Sequence, residues 1–158
     1  MIDYFMNEAL NEAKKALILK EVPVGTVIVK NDEIIARAHN LRETLNDPTA
    51  HAEILAIRKA SEKLQSWRLN ECSLYVTLEP CPMCAGAIVQ ARIGKVYIGT
   101  FDDKAGACGS VINVLQNDSF NHWVDIKWVY NEECSRILVD FFKNKRRVAV
   151  KNEKHKTK

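Results

Sequence analysis

An α/β domain, with helices on both faces of a five-strand mixed sheet, is the architecture this sequence predicts. Three observations carry it. Residues 3–19 and 131–147 place apolar side chains at helical spacing: Met6, Ala9, Leu10, Ala13 and Leu17 in the first, Cys134, Ile137, Leu138 and Phe141 in the second. Short runs of strand formers recur at 24–30, 33–38, 74–78, 95–99 and 125–130. The two kinds of segment alternate with no internal repeat and no Pro/Gly/Ser linker, the pattern of a single α/β unit in three layers.

Local signals fix the joints. Asn31-Asp32 separates two strand-like runs and reads as a hairpin turn. Asp47-Pro48 reads as a helix start, with Asp as the cap and Pro in the first turn, so a helix is expected from about Thr49 to Leu64. Pro80 and Pro82 end the strand at 74–78, and a second helix is expected through Arg92. Residues 100–110 read as loop, and Val111–Gln116 as a short helix. The expected domain is 1–147, followed by a basic, flexible tail at 148–158.

With 158 residues, nearly half of them apolar, the chain can build one domain core. No run approaches the roughly 20 apolar residues of a membrane span, and Met1-Ile2-Asp3-Tyr4 lacks the opening of a signal peptide, so a cytoplasmic location is expected. Five cysteines, an odd count without an export signal, argue against a disulfide framework. The net charge of +3 is unevenly spread: residues 143–158 carry eight Lys or Arg and one Glu, while residues 1–142 carry fifteen basic and nineteen acidic side chains. A basic end on a mildly acidic body suggests an acidic polymer as partner, against the alternative of a solvated tail.

The chemistry is concentrated in His51-Ala52-Glu53 and Pro80-Cys81-Pro82-Met83-Cys84. Each half opens an expected helix. Cysteines three apart on a helix face one side and can share an ion, and a helix N-terminus favours the thiolate form. His51, Cys81 and Cys84 make three ligands and leave a tetrahedral zinc its fourth position, the arrangement of a catalytic rather than a structural site. Glu53 is then free to move protons. His-x-Glu followed by Pro-Cys-x-x-Cys is the pattern of zinc-dependent base deaminases. A redox pair or a structural zinc completed by Cys72, Cys108 or Cys134 is the alternative; those three read more simply as buried small apolar residues.

Beyond that motif the chain resembles bacterial tRNA-specific adenosine deaminases, of the cytidine deaminase-like superfamily, over nearly its whole length. The resemblance rests on Glu21-Val22-Pro23-Val24-Gly25, Ala38-His39-Asn40, Asp47 to Glu53, Ser66-Trp67-Arg68-Leu69, Tyr75 to Ala87, Asp102 to Gly106, Asn121-His122 and Phe141-Phe142-Lys143. The metal motifs alone also fit guanine or cytosine deaminases; the loop at 102–106, Asn121-His122 and the basic C-terminal helix favour tRNA. The resemblance implies a homodimer with one Zn2+ per subunit, converting adenosine to inosine at the anticodon wobble position. It implies that Asn40 bonds the base edge or ribose, the Ala52 N–H holds the purine, and Val24 packs on it. Asp102 and Lys104 would meet the anticodon backbone, with His122, Phe142, Lys143 and Arg146 as further RNA contacts. Phe101 stands where some members carry a basic residue, so no role is carried over to it. A small-molecule deaminase acting on free guanine, cytosine or a nucleotide and a zinc-stabilised RNA-binding module are the competing functions. Glu53 argues against the module, and the basic C-terminus against the free base.

Overall fold

The computed structural model describes residues 1–156 and consists of α1 (Ile2–Ile18), β1 (Gly25–Lys30), β2 (Glu33–His39), α2 (Ala52–Leu64), β3 (Cys72–Val76), α3 (Pro82–Gln90), β4 (Lys95–Ile98), β5 (Asp125–Trp128) and α4 (Glu132–Lys156). The five strands form one mixed sheet in the order β2-β1-β3-β4-β5. β1 runs antiparallel to both neighbours, whereas β3, β4 and β5 are mutually parallel. Asn31 and Asp32 both have positive φ, 51° and 59°, the backbone of a two-residue hairpin whose twist suits the flanking strands.

Side-chain alternation divides the core in two. Val27 and Val29 of β1, with Tyr75 of β3, face Phe5, Met6, Ala9, Leu10 and Ala13 of α1. Tyr75 stacks on Tyr97 of β4 with ring centroids 4.2 Å apart. Ile28, Leu74, Val76, Val96 and Ile98 project the other way, into a larger cluster with Ala52, Ala56 and Ala60 of α2 and Ala85, Ile88 and Val89 of α3. α1 therefore covers one face and α2 and α3 the other, the expected three layers. α1 sits so close that a Cβ on Gly25 would lie 2.0 Å from the Ala9 carbonyl oxygen and 2.4 Å from the Ala13 nitrogen.

Three local expectations are corrected. Val111–Gln116 forms no helix; instead Asn113 bridges to Cys108 and the segment folds back on the preceding loop through Val114 N–H to the Ala107 carbonyl. The helix expected from Thr49 starts at Ala52, because Asp47 Oδ1 accepts from both the Thr49 N–H and hydroxyl and closes a separate turn. α4 does not stop near residue 147 but continues through Lys156. Residues 148–156 contain no Gly or Pro and several good helix formers, so nothing local ends it. The rest of the expected tail, residues 157–158, lies outside the described residues.

Gly25→Ala should therefore destabilise the fold by about 2 kcal/mol or more, because the added methyl must displace helix backbone. Denaturant unfolding checks this; an unchanged midpoint would show that α1 can move away freely.

Candidate metal centre and substrate cavity

Two helix N-termini meet at the end of the sheet. His51 is the N-cap of α2, with extended backbone (φ −77°, ψ 154°). Cys81 is the N-cap of α3, also extended (φ −74°, ψ 174°). β3 delivers Cys81 through Thr77, Leu78, Glu79 and Pro80, and Thr77 anchors that exit by accepting the Gly25 N–H on its hydroxyl. Cys84 lies in the first turn of α3, so its thiol and that of Cys81 share one side of the helix mouth.

His51 Nδ1 is 3.7 Å from Cys81 Sγ and 3.5 Å from Cys84 Sγ, and the three donor atoms lie within 4.8 Å of one another. Zinc bonded to nitrogen at about 2.0–2.1 Å and to sulfur at about 2.3 Å, at tetrahedral angles, needs donors about 3.5–3.8 Å apart. The donor set and its spacing thus fit a tetrahedral ion with one position left over. Proton sharing within the trio points the same way. Hydrogen bonding from Cys84, then from His51, holds the Cys81 thiol down to about 4 against the effect of burial. Its bond to Cys81, together with burial, pushes the Cys84 thiol up. The bond to Cys81 raises His51.

Glu53, in the first turn of α2, is buried and is not one of the three clustered donors. Burial pushes its carboxyl up to about 7, with the charge of Cys81 acting in the same direction.

A cavity of about 730 Å³ opens over this group, within the size range of small-molecule sites. His51, Ala52, Glu53 and Cys81 line its floor, and Val24 and Asn40 one side. Ala52 is the first residue of α2, so its N–H has no intrahelical acceptor. Asn40 Nδ2 donates to the Val22 carbonyl and Oδ1 accepts from the Arg42 N–H. One amide proton and one lone pair are left over. Asp102 and Lys104 line another wall with Phe101, on the loop after β4. α4 supplies a third wall through Leu138, Val139, Phe142, Lys145 and Arg146.

Two residues expected to contact RNA lie outside the cavity. Lys143 does not line the cavity; Lys145 takes its place, because residues 138, 142 and 145 share a helix face while 143 is turned about 100° away. His122 lies elsewhere, with Nε2 2.6 Å from the Ile93 carbonyl oxygen. Two buried carboxylates also escape the sequence reading. Glu79 lines the cavity, and Glu21 accepts from the N–H groups of Glu43 and Thr44 and from the Thr44 hydroxyl. Each carries a signal in the sequence: an acidic residue beside an apolar run and next to, or near, a proline.

The family model for MafB19-like deaminases matches residues 2–146. A tRNA-specific adenosine deaminase of Bacillus subtilis is 51% identical over 154 residues, 95% of this chain and 96% of the relative. The chain belongs to the tRNA-specific adenosine deaminase family. The enzyme of that name from Aquifex aeolicus is also 51% identical, over 91% of this chain and 95% of its own. A solved structure from work on A-to-I editing by tRNA:A34 deaminases at the wobble position superposes with a TM-score of 0.83 at 44% identity, covering 86% of this chain and 99% of that one. A guanine deaminase from Bacillus subtilis is 44% identical, but over only 63% of this chain and 64% of its own, with a TM-score of 0.60. This deaminase of the tRNA family is thus similar over part of its length to an enzyme named for a free base.

Glu21 gives the site's surroundings a pH dependence. Burial opposes its charge, but the bonds from Thr44 and Glu43 prevail and lower its pKa from 4.5. A carboxylate lowered on folding contributes stability that is present above its unfolded pKa and lost as pH falls through the folded value. Glu21→Gln should reduce stability at neutral pH by about 1–3 kcal/mol and flatten the stability profile below about pH 4.5. Parallel acid limbs for the two proteins would contradict this assignment.

Proposed function

We propose that the protein is a zinc-dependent deaminase acting on adenosine at the wobble position of a tRNA anticodon. The observation that carries the choice of substrate is the third wall of the cavity. α4 sets Phe142 beside Lys145 and Arg146 over the same cavity whose floor is His51, Glu53 and Cys81. An aromatic beside cations suits a flipped nucleotide with its backbone, not a free base. The curated relatives named tRNA-specific adenosine deaminase, matched over nine-tenths of the chain and more, support the same reading.

His51, Cys81 and Cys84 would hold the zinc, one per subunit, and when bound it lowers the pKa of a water towards neutrality. The remaining steps belong to the chain. Val24 packs on the purine, the Ala52 N–H and the spare valences of Asn40 orient it, and the walls exclude bulk water. Glu53 takes a proton from the attacking water. It passes that proton to the purine ring nitrogen, then takes the remaining proton of the added hydroxyl and delivers it to the departing amine, so adenosine and water yield inosine and ammonia. Asp102 and Lys104 on one rim, and Phe142, Lys145 and Arg146 on the other, engage the flanking nucleotides. Lys143 and His122, away from the cavity, are left with contacts to RNA outside it.

The enzyme is further proposed to act as a homodimer in the cytoplasm. Its five free thiols suit a reducing compartment, and no helix among the described residues is long and apolar enough to cross a membrane.

Glu53→Ala should lower deamination of an anticodon stem-loop by at least about 10³-fold while zinc stays at one per chain, whereas Cys84→Ala should lose both zinc and stability. Zinc missing from the first variant, or fully retained in the second, would contradict the division of roles. Truncation after Asn144 should weaken stem-loop binding and make its salt dependence shallower, by about 0.7 in log–log slope for each phosphate of single-stranded RNA no longer neutralised. An unchanged slope would return the C-terminal charges to the role of a solvated end. Sedimentation at micromolar concentration should give twice the chain mass; a monomer would refute the dimer.

A further inference from the structure

The loop that carries Asp102 and Lys104 is exposed at the cavity and enters the core only farther along, at Ala107 and Cys108. Phe101 is half-exposed, and Asp103, Lys104 and Ala105 are exposed. One side chain bonds its backbone at several points. Glu79 is only 2% exposed, and both its carboxylate oxygens point into the loop. Oε1 accepts from the Asp102 N–H at 3.0 Å and from the Ser110 hydroxyl. Oε2 accepts from the N–H groups of Cys108 at 3.0 Å and Ser110 at 3.1 Å. Four donors on two oxygens fill the accepting capacity of a carboxylate. Gly106 packs against both the loop and the group: a Cβ there would lie 2.4 Å from the Asp102 carbonyl oxygen and from Glu79 Cδ and Oε2.

Glu79 is also two residues from Cys81, and the bond from Ala107 N–H to the Pro80 carbonyl, 2.9 Å, ties the same loop to the intervening residue. The backbone N–H groups of Glu79 and Asp102 lock the exits of β3 and β4 together from both sides, the former donating to the Thr100 carbonyl. Asp102 in turn accepts from the N–H groups of Lys104 and Ala105, so the turn carrying the rim charges is built on the residue that Glu79 holds.

We propose that Glu79 is a positioning residue that sets the place of the Asp102–Lys104 rim relative to the metal centre, and so governs the binding of substrate rather than the chemical step. This rests on the tRNA reading for the identity of that substrate. Replacing the carboxylate by an amide keeps its size but turns one acceptor into a donor facing backbone donors, which leaves buried N–H groups without partners.

The test compares zinc-loaded wild type with Glu79→Gln by hydrogen exchange and steady-state kinetics on a wobble-adenosine stem-loop. In the variant, the amides of Asp102, Cys108 and Ser110 should exchange about tenfold faster or more, with those of β1 and β3 unchanged. KM should rise about tenfold with kcat within about threefold and zinc at one per chain. Should Glu79→Gln fail to fold, a milder variant decides. Ser110→Ala, at an exposed residue, removes one of the four donors and should raise KM by a smaller factor. Unchanged exchange at the three amides, an unchanged KM, or a fall in kcat that tracks zinc content would each overturn the proposal. If wild type itself leaves the stem-loop untouched, the tRNA reading fails, and the exchange comparison decides the role of Glu79 alone.

Discussion

Three donor atoms from two distant segments must come within a few ångströms of one another, and the rest of the fold is arranged to let them. His51 and Cys84 are 33 positions apart, yet Nδ1 and Sγ stand 3.5 Å from each other. The convergence depends on α2 and α3 lying side by side on one face of the sheet with their N-termini at the same end. That in turn depends on β1 and β3 being adjacent and buried, since the small residues Ala52, Ala56, Ala60 and Ala85 let both helices approach the strands closely. The helix dipoles then favour negative charge where the two cysteines sit. Packing, topology and the chemistry of the thiolates point the same way.

The cavity over that point is walled by parts that differ in how they are held. The floor belongs to helices packed into the core. Two loops beside the cavity are each organised by a buried carboxylate bonded to backbone N–H groups, Glu21 for residues 43–44, next to the lining residue Arg42, and Glu79 for residues 102–110. A buried acid without a basic partner is costly unless its oxygens are satisfied, and here the loop backbone supplies the donors. A guanine deaminase aligns at 44% identity over part of the chain. The rims and α4 are where a deaminase of this architecture can be adapted to a polymer.

Periodicity is enough to read the five strands and the order of elements, because apolar spacing reports burial directly. It is enough for the metal trio as well, since the two half-motifs announce their own helix starts. It fails where a side chain overrides the local pattern. Asp47 has the sequence signature of a helix cap but caps a turn instead, which delays α2 until Ala52 and leaves His51 at the helix mouth. Val111–Gln116, expected as a short helix, is rich in β-branched residues and is drawn into a loop bonded to Ala107 and Cys108. Lys143 follows Phe142 directly in sequence, yet the helical phase set by Leu138 and Phe142 brings Lys145 to the cavity in its stead. Glu21 and Glu79 fall within recognisable motifs, yet nothing in one sequence says that a carboxylate's partners are backbone amides tens of residues away.

The central claim is that this cavity deaminates an adenosine presented by tRNA. Incubating the zinc-loaded protein with total tRNA and, in parallel, with free guanine and adenosine tests it most directly. Inosine should appear at wobble adenosines in the tRNA, with no ammonia released from either small molecule at comparable enzyme concentration. Ammonia from guanine and no inosine in tRNA would contradict the account and assign the cavity to a free base.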